Sequence, residues 1–493
     1  MHQSTRHYFE TRLALACDPM TTAARLASSR LHADYVVYEN GGTWSYAGGA
    51  LAEITLDRTG ARLHRLRGEE VHLPWDGHPL QQVQTLLDTV DTAHWRAYGW
   101  AAFELSYAKD GDTAHIGDQR LLHLVVPHTE IRIDAGQAHL RCADQAGLTA
   151  ALAVLTARHT EPRPVPEAVD VRRAGADAYR RAVGAAVDAI NDTRLQKVIF
   201  SRVVPVETDV DFVGTYLAGR RGNNPARSFL LNLGGIEATG FSPEIVVQVA
   251  PDGRVVSQPL AGTRALTGDH TEDQRLRTEL LADPKEIYEH AISVKIACDE
   301  LHGVCRPGTV DVEEFMAVKE RGTVQHLASR VGGHLAPGLR AWDAFQAVFP
   351  AVTASGVPKD AAYDSIRSNE SETRGLYSGA VLTVDHDGAM DAALVLRSVY
   401  RQHGRTWLRA GAGIVGHSRP ERELEETCEK LGSVGRYLVP APAPETHPHP
   451  DPHPDPDPAA PASAPAPAPA SADPGADPGA AAGAGAVTAG ARP

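Results

Sequence analysis

The feature that most constrains the fold is a series of three apolar runs, GAVLTVD (379–385), AMDAALVLRSVY (389–400) and RTWLRAGAGIV (405–415), separated only by HDG and RQHG. Connections this short and rich in turn residues join antiparallel neighbours, because a parallel pair needs a crossover of a dozen residues or more. Similar runs recur upstream: DYVVYENGGTWSYAGG, RLLHLVVPHTEIRI, KVIFSRVVPVE, SFLLNLG, EIVVQVA and RVVSQPLAG. Between them lie stretches of helical period. Tyr179, Val183, Val187 and Ile190 fall on one face, and further helices are expected near 283–301, 341–348 and 418–437. Strands in this order, with helices interspersed, predict an α+β protein with a large antiparallel β-core and helices packed outside. No internal repeat interrupts the series.

Composition marks the boundaries. From Ala441 to Pro493 the chain is almost entirely Pro, Ala, Asp, His and Gly, including HPHPDPHPDPDP. Such a segment cannot bury enough apolar surface to offset its ordering entropy, so 441–493 is expected to be a disordered tail. The Pro-rich EPRPVPE (161–167) is a second break. The expected organisation is an N-terminal extension over 1–29, a β-rich part over 30–160, a catalytic region over 173–440, and the tail.

The chain carries a net charge of −14, of which the tail contributes six carboxylates against Arg492 alone. That balance argues against nucleic acid or an anionic membrane as partner. No apolar run approaches a membrane span and the first twenty residues lack a secretory pattern, so a cytoplasmic protein is expected. The five cysteines are widely spaced with no CxxC pair, which suggests reduced thiols rather than a disulfide framework or a zinc site.

Two helix starts carry paired carboxylates. In DPKEIYEHAISV, Asp283 is a natural N-cap and Glu286 is placed to close a capping box. Glu286 and Glu289 share one side, while Ile287, Ala291 and Val294 take another. In SRPERELEETCEKL, Ser418 and Glu421 are placed as a capping box, and Glu423 and Glu426 form a second i,i+3 pair with Lys430 four residues on. Either helix alone reads as a solvated face with a Glu426–Lys430 ion pair. Together, two helices bearing hard oxygen ligands are what an octahedral Mg2+ site needs.

Lys197 opens the apolar strand KVIFSR, where a lysine either snorkels to solvent or, if desolvated, becomes able to act as a general base. Glu244 sits between Pro243 and the next strand. A lysine base and a glutamic acid on opposite faces of one ring would let water enter at one carbon while hydroxide leaves another. Weaker candidates are Gly262 and Thr263 in PLAGTRA, His326 in VQHLAS, Tyr377 in RGLYSGA, Arg397 in ALVLRSVY, and Gly411 and Gly413 in RAGAGIV. An inward arginine in an apolar strand needs a carboxylate, which a substrate can supply. The glycines permit close backbone approach to a ligand, or a bulge.

Taken in order, KVIFSR, GFSPE, PLAGTRA, KEIYEHAISV, RGTVQHLASRVGG, FPAVTASGVPK, RGLYSGAV, DAALVLRSVY, RAGAGIV and PERELEETCEKL resemble the chorismate-utilising enzymes, and the likeness covers about residues 30–440. Within that family the wording is most similar to the salicylate synthases, which convert chorismate by way of isochorismate into salicylate and pyruvate. The resemblance implies a single α+β unit, Mg2+ as cofactor, and a monomer. It implies that Lys197 activates water for attack at C2 and that Glu244 is the acid for the departing C4 hydroxyl. Glu289 and Glu426 match direct Mg2+ ligands, with Glu286 and Glu423 supporting the metal. Tyr377, Arg397 and the Gly411 N–H match the grip on the enolpyruvyl carboxylate, and Gly262, Thr263, His326 and Lys430 line the pocket.

Members that install an amino group typically carry Gln where this chain has Lys197 and draw ammonia from a glutaminase, whose nucleophile motif has no counterpart here. Water is therefore the expected nucleophile, with no glutaminase partner. The alternative to salicylate is arrest at isochorismate. A chorismate-binding scaffold without catalysis would lack Lys197, Glu244 or a metal glutamate, and none is missing.

Overall fold

The computed structural model describes residues 6–442, apart from 67, 76, 110–112, 159–163 and 193–194. The expected disordered tail therefore lies outside the described residues from 443 onward, as does part of the Pro-rich break. The elements that carry the site are, in chain order, β1 (Lys197–Pro205), β2 (Leu260–Ala265), α1 (Pro284–His302), β3 (Val324–His334), β4 (Met390–Leu394), β5 (Ser398–Gln402), β6 (Arg405–Ile414) and α2 (Pro420–Gly435).

Among the described residues two large sheets form, one 11-stranded and one 12-stranded, and every named strand pairing within them is antiparallel. Their inner faces meet through Val36, Tyr38, Phe229, Leu231 and Tyr400 from the first sheet and Tyr98, Trp100, Val381 and Ala393 from the second. Outer faces are covered by helices: Leu80, Val83, Trp342 and Phe345 pack on the second sheet, and Met20, Leu26, Tyr216 and Val434 on the first. Successive residues of Tyr35–Asn40 point alternately to the two sides, with Val36 and Tyr38 inward and Tyr35 and Val37 toward the helices. Strands covered on both faces read as continuous apolar runs rather than alternations, which is why YVVY and SFLLNL carry so few polar residues.

The sequence boundaries do not divide the fold. Phe9–Ala14 pairs with Gln137–Cys142 and Pro19–Ser28 buries Met20, Ala23, Ala24 and Leu26 against the first sheet, so residues assigned to an extension belong to the core. Strands from 30–160 and 173–440 share both sheets; Tyr35–Asn40, for example, pairs with Arg227–Leu233. No helix among the described residues is long and apolar enough to cross a membrane, and all five cysteines are free.

One expected strand is two. The run AMDAALVLRSVY leaves the second sheet after Leu394 and enters the first at Ser398. Arg397, at the turn between them, has a left-handed backbone with φ 52°. Its antiparallel neighbour crosses at the same place: Ile236–Ser242 belongs to the first sheet and Ile245–Val249 to the second. The two crossovers are knitted by backbone bonds from Leu394 N to Glu244 O at 3.1 Å and from Phe241 N to Arg397 O at 3.1 Å.

Candidate active site

Where the chain changes sheets, a largely enclosed cavity forms, a concave setting of the kind small-molecule ligands occupy. Both crossovers face it, through Glu244 and Arg397, and the second sheet closes it with Gly262, Thr263 and His326. Tyr377, Gly411, Glu289, Glu426 and Lys430 complete the wall. Of the candidate residues singled out from sequence, all but Lys197, Glu286 and Glu423 thus line one cavity.

Glu244 is 2% exposed, and burial pushes its carboxyl up to about 8. Thr353 Oγ donates to its Oε1, and Lys197 and Lys430 exert a smaller opposing pull. It is therefore a neutral acid at pH 7, the state from which a proton can be given. Lys197 is fully buried at the start of β1, behind the cavity wall rather than on it. Its Nζ donates to Ser293 Oγ at 3.0 Å and pairs with Glu289 Oε1 at 3.1 Å.

Arg397 and His326 form the polar end. His326 is neutral because burial and the neighbouring Arg397 depress its basicity. Arg397 Nη2 donates to His326 Nε2, leaving Nδ1–H to face Thr263 Oγ at 3.1 Å. Burial and the nearby Arg321 lower Arg397 to about 9, and no carboxylate among the described residues lies within ion-pair distance of it. A buried guanidinium in that state is set to receive an anionic ligand. The positive φ of Gly262 (84°) creates a bulge in β2 that turns Thr263 N–H toward Glu286 Oε2 at 3.0 Å.

The glycines of β6 make room for side chains. A Cβ on Gly413 would sit 2.1 Å from Glu289 Oε1 and 3.2 Å from Lys197 Cε, and one on Gly411 would meet Phe200 O at 2.4 Å and the Tyr377 hydroxyl at 3.0 Å. Lys430 Nζ donates to Gly411 O at 3.0 Å and pairs with Glu426 at 2.8 Å, the i,i+4 contact the sequence suggests.

The carboxylate faces of both helices are buried, not solvated. Glu286, Glu289, His290, Ser293 and Val294 form the inner stripe of α1, whereas Ile287 and Ala291 are only partly covered. Glu423, Glu426 and Thr427 do the same on α2. Asp283 caps α1 as expected, accepting from Lys285 N at 2.8 Å. Glu286 closes no capping box; its carboxylate is drawn instead to Thr263 N and to Arg264 at 3.0 Å. At α2 the N-cap is Arg419, and Ser418 Oγ accepts from Val415 N at 3.1 Å, because Pro420 shifts the first turn one residue on.

Glu289 and Glu426 line the cavity, while Glu286 and Glu423 face an outer cleft on the far side of the cluster. Lys285 Nζ lies between them, 3.2 Å from Glu423 Oε1, 3.3 Å from Glu286 Oε1 and 3.8 Å from Glu289 Oε2. Glu423 is 1% exposed, and burial raises it to about 7 against the opposing pull of Lys285. Among the described residues no three acidic, histidine or cysteine side chains converge as a ready-made ligand set. The donors themselves, four buried carboxylates gathered from two helices, fit a hard divalent cation.

Sequence reasoning missed Lys285, Ser293 and Thr353. Lys285 was readable as the i,i+4 partner of Glu289; Thr353 meets Glu244 across 109 residues, and no local pattern announces it.

Comparison with known proteins places this architecture. A family model described as chorismate binding enzyme matches residues 35–436. A salicylate synthase of Mycolicibacterium paratuberculosis is 43% identical over 431 residues, covering 87% of this chain and 95% of that protein. Component 1 of the anthranilate synthase of Haloferax volcanii is 39% identical over 271 residues; this chain spans about half of that relative (52%), and the match covers 53% of this chain. The crystal structure of anthranilate synthase component I from Streptococcus pneumoniae superposes with a TM-score of 0.68 at 25% identity, covering 80% of this chain and 92% of that one. The menaquinone-specific isochorismate synthase of Escherichia coli shares the fold, with a TM-score of 0.67 at 21% identity over 88% of this chain and 95% of its own.

Proposed function

This chain belongs to the chorismate binding enzymes, and we propose that within that family it is a salicylate synthase, turning chorismate into isochorismate and then into salicylate and pyruvate. The observation that carries this reading is a neutral, buried Glu244 on the wall of a cavity that has buried Lys197 behind it and Arg397, without a carboxylate partner among the described residues, lining it. The 43% identity to a salicylate synthase over nearly its whole length supports the choice of member.

In the first half-reaction Lys197, once neutral, takes a proton from water as its oxygen bonds to C2 of the ring. Both ring double bonds shift, from C1=C2 and C5=C6 to C6=C1 and C4=C5, and the C4 hydroxyl leaves as water with the proton of Glu244. Proton uptake and release cancel, so the step is an isomerisation. Thr353 holds Oε1 of Glu244 and so fixes the orientation of its carboxyl. Arg397, Tyr377 and the Gly411 N–H bind the enolpyruvyl carboxylate and set its direction over the ring. In the second half-reaction the C2 hydrogen moves to the enolpyruvyl methylene as the C3–O bond breaks, releasing pyruvate and an aromatic ring. That transfer asks for a held conformation more than for another base.

Glu289 and Glu426, supported by Glu286 and Glu423, would hold Mg2+, which supplies positive charge for the ring carboxylate when bound. With water as nucleophile the chain needs no ammonia-supplying subunit and acts on small molecules as a monomer in the cytoplasm, feeding salicylate to an aryl-capped product such as a siderophore. The test is a product assay: purified protein with chorismate, with and without Mg2+, resolved by chromatography. Equal salicylate and pyruvate, formed only with metal, is the expected result; isochorismate alone would reassign the protein to a synthase that stops there.

A further inference from the structure

The lysines around the glutamate cluster are not equivalent. Lys197 and Lys430 each contact one of the four carboxylates, and Arg264 contacts one. Lys285 alone among the described residues lies within 4 Å of three of them, Glu286, Glu289 and Glu423. It reaches across from α1 to α2, where its ammonium pairs with Oε1 of the buried Glu423 at 3.2 Å. The ammonium thus occupies the middle of a site whose remaining donors are hard oxygens.

From this geometry we infer that Lys285 is the resident counter-cation of the cluster and that a divalent ion seats there only by displacing its ammonium, so that Lys285 sets how tightly the protein holds Mg2+. The inference rests on the reading of the cluster as a metal site given above. A +1 and a +2 charge on the same carboxylates at contact distance repel each other, and a partly desolvated site screens that repulsion poorly. Without either cation, Glu423 would be left buried with no ion-pair partner among the described residues, beside three other carboxylates, which burial makes costly. The lysine therefore stabilises the metal-free fold and weakens the metal-bound state by comparison. Room for its departure exists, since Lys285 lines the outer cleft, which has about 1420 Å3 of open space beside Arg422 and His417. A lysine suits this task better than an arginine, whose planar fork would hold two carboxylates bidentately and release them less readily.

The experiment uses the full chain stripped with chelator and titrated calorimetrically with MgCl2 alone, in the absence of chorismate. Lys285→Met and Lys285→Gln remove the charge, and Lys285→Arg keeps it. The neutral variants are expected to bind Mg2+ with a roughly tenfold lower Kd than wild type, and the arginine variant no more tightly than wild type. Metal-free melting temperature should fall in the neutral variants and recover at saturating Mg2+. A neutral variant that folds only with Mg2+ present supports the inference in the same sense; one that fails to fold even then overturns it. Wild type that binds Mg2+ with variants of unchanged Kd overturns the inference and leaves the metal site standing. Wild type that binds no Mg2+ overturns both.

Discussion

Lys197 Nζ stands 3.1 Å from Glu289 Oε1, so the residue proposed to deprotonate water and a residue proposed to hold the cation are paired with each other in the protein alone. Gly413 makes room for the pair, because a Cβ there would overlap Glu289 Oε1 and crowd Lys197 Cε. Lys197→Ala should lower the rate of water addition by at least ~100-fold, the usual contribution of a general base. Chromatographic detection of isochorismate or salicylate at wild-type rates in that variant would remove Lys197 from the mechanism.

Glu244 predicts a pH dependence with a definite sign. Burial raises its carboxyl to about 8, so the acid form is present below that pH and turnover should fall as pH rises through it. The same raised value lowers stability: the folded state keeps a proton that the unfolded chain has released, so the fold is destabilised progressively from about pH 4.5 up to about 8. Glu244→Gln should abolish turnover yet raise the melting temperature, by more at pH 8 than at pH 5. A variant no more stable than wild type at pH 8 would show that the carboxyl is not held neutral.

Glu426 carries the clearest metal prediction. Glu426→Gln removes one ligand charge while keeping shape and should weaken Mg2+ binding and turnover together, with activity partly restored by raising Mg2+. Calorimetric Mg2+ affinity equal to wild type would place the site elsewhere.

Arg397 separates ligand binding from backbone conformation. Arg397→Ala and Arg397→Gly should each reduce kcat/KM for chorismate by ~10–100-fold through the lost charge-assisted contact. Because φ at this position is 52°, the glycine variant should be more stable than the alanine variant by about 1 kcal/mol. Equal stability would mean the turn relaxes when the side chain is removed.

Much of this was legible beforehand because local chemistry and tertiary demand agree. Pro284 after Asp283 starts α1, and the i,i+3 glutamates mark the side of each helix that matters. What the sequence concealed was long-range. The glutamate faces looked solvated, since nothing local reveals Lys285, Arg264 and a bulged strand waiting for them. AMDAALVLRSVY read as one strand because both sheets bury it equally; only the positive φ at Arg397 records the change. Phe9–Ala14 looked like part of an extension because its partner strand, Gln137–Cys142, lies more than a hundred residues away.

The paired crossovers have a mechanical consequence. Glu244 and Arg397 ride on adjacent chain segments bonded to each other through Leu394 N and Phe241 N, so the spacing between proton donor and anion anchor is set by main chain. If the two sheets slide as the layers breathe, both groups are carried in the same direction. The substrate would move with them as on a shared carriage, keeping the proton donor aligned with its leaving group while the opposite wall shifts past.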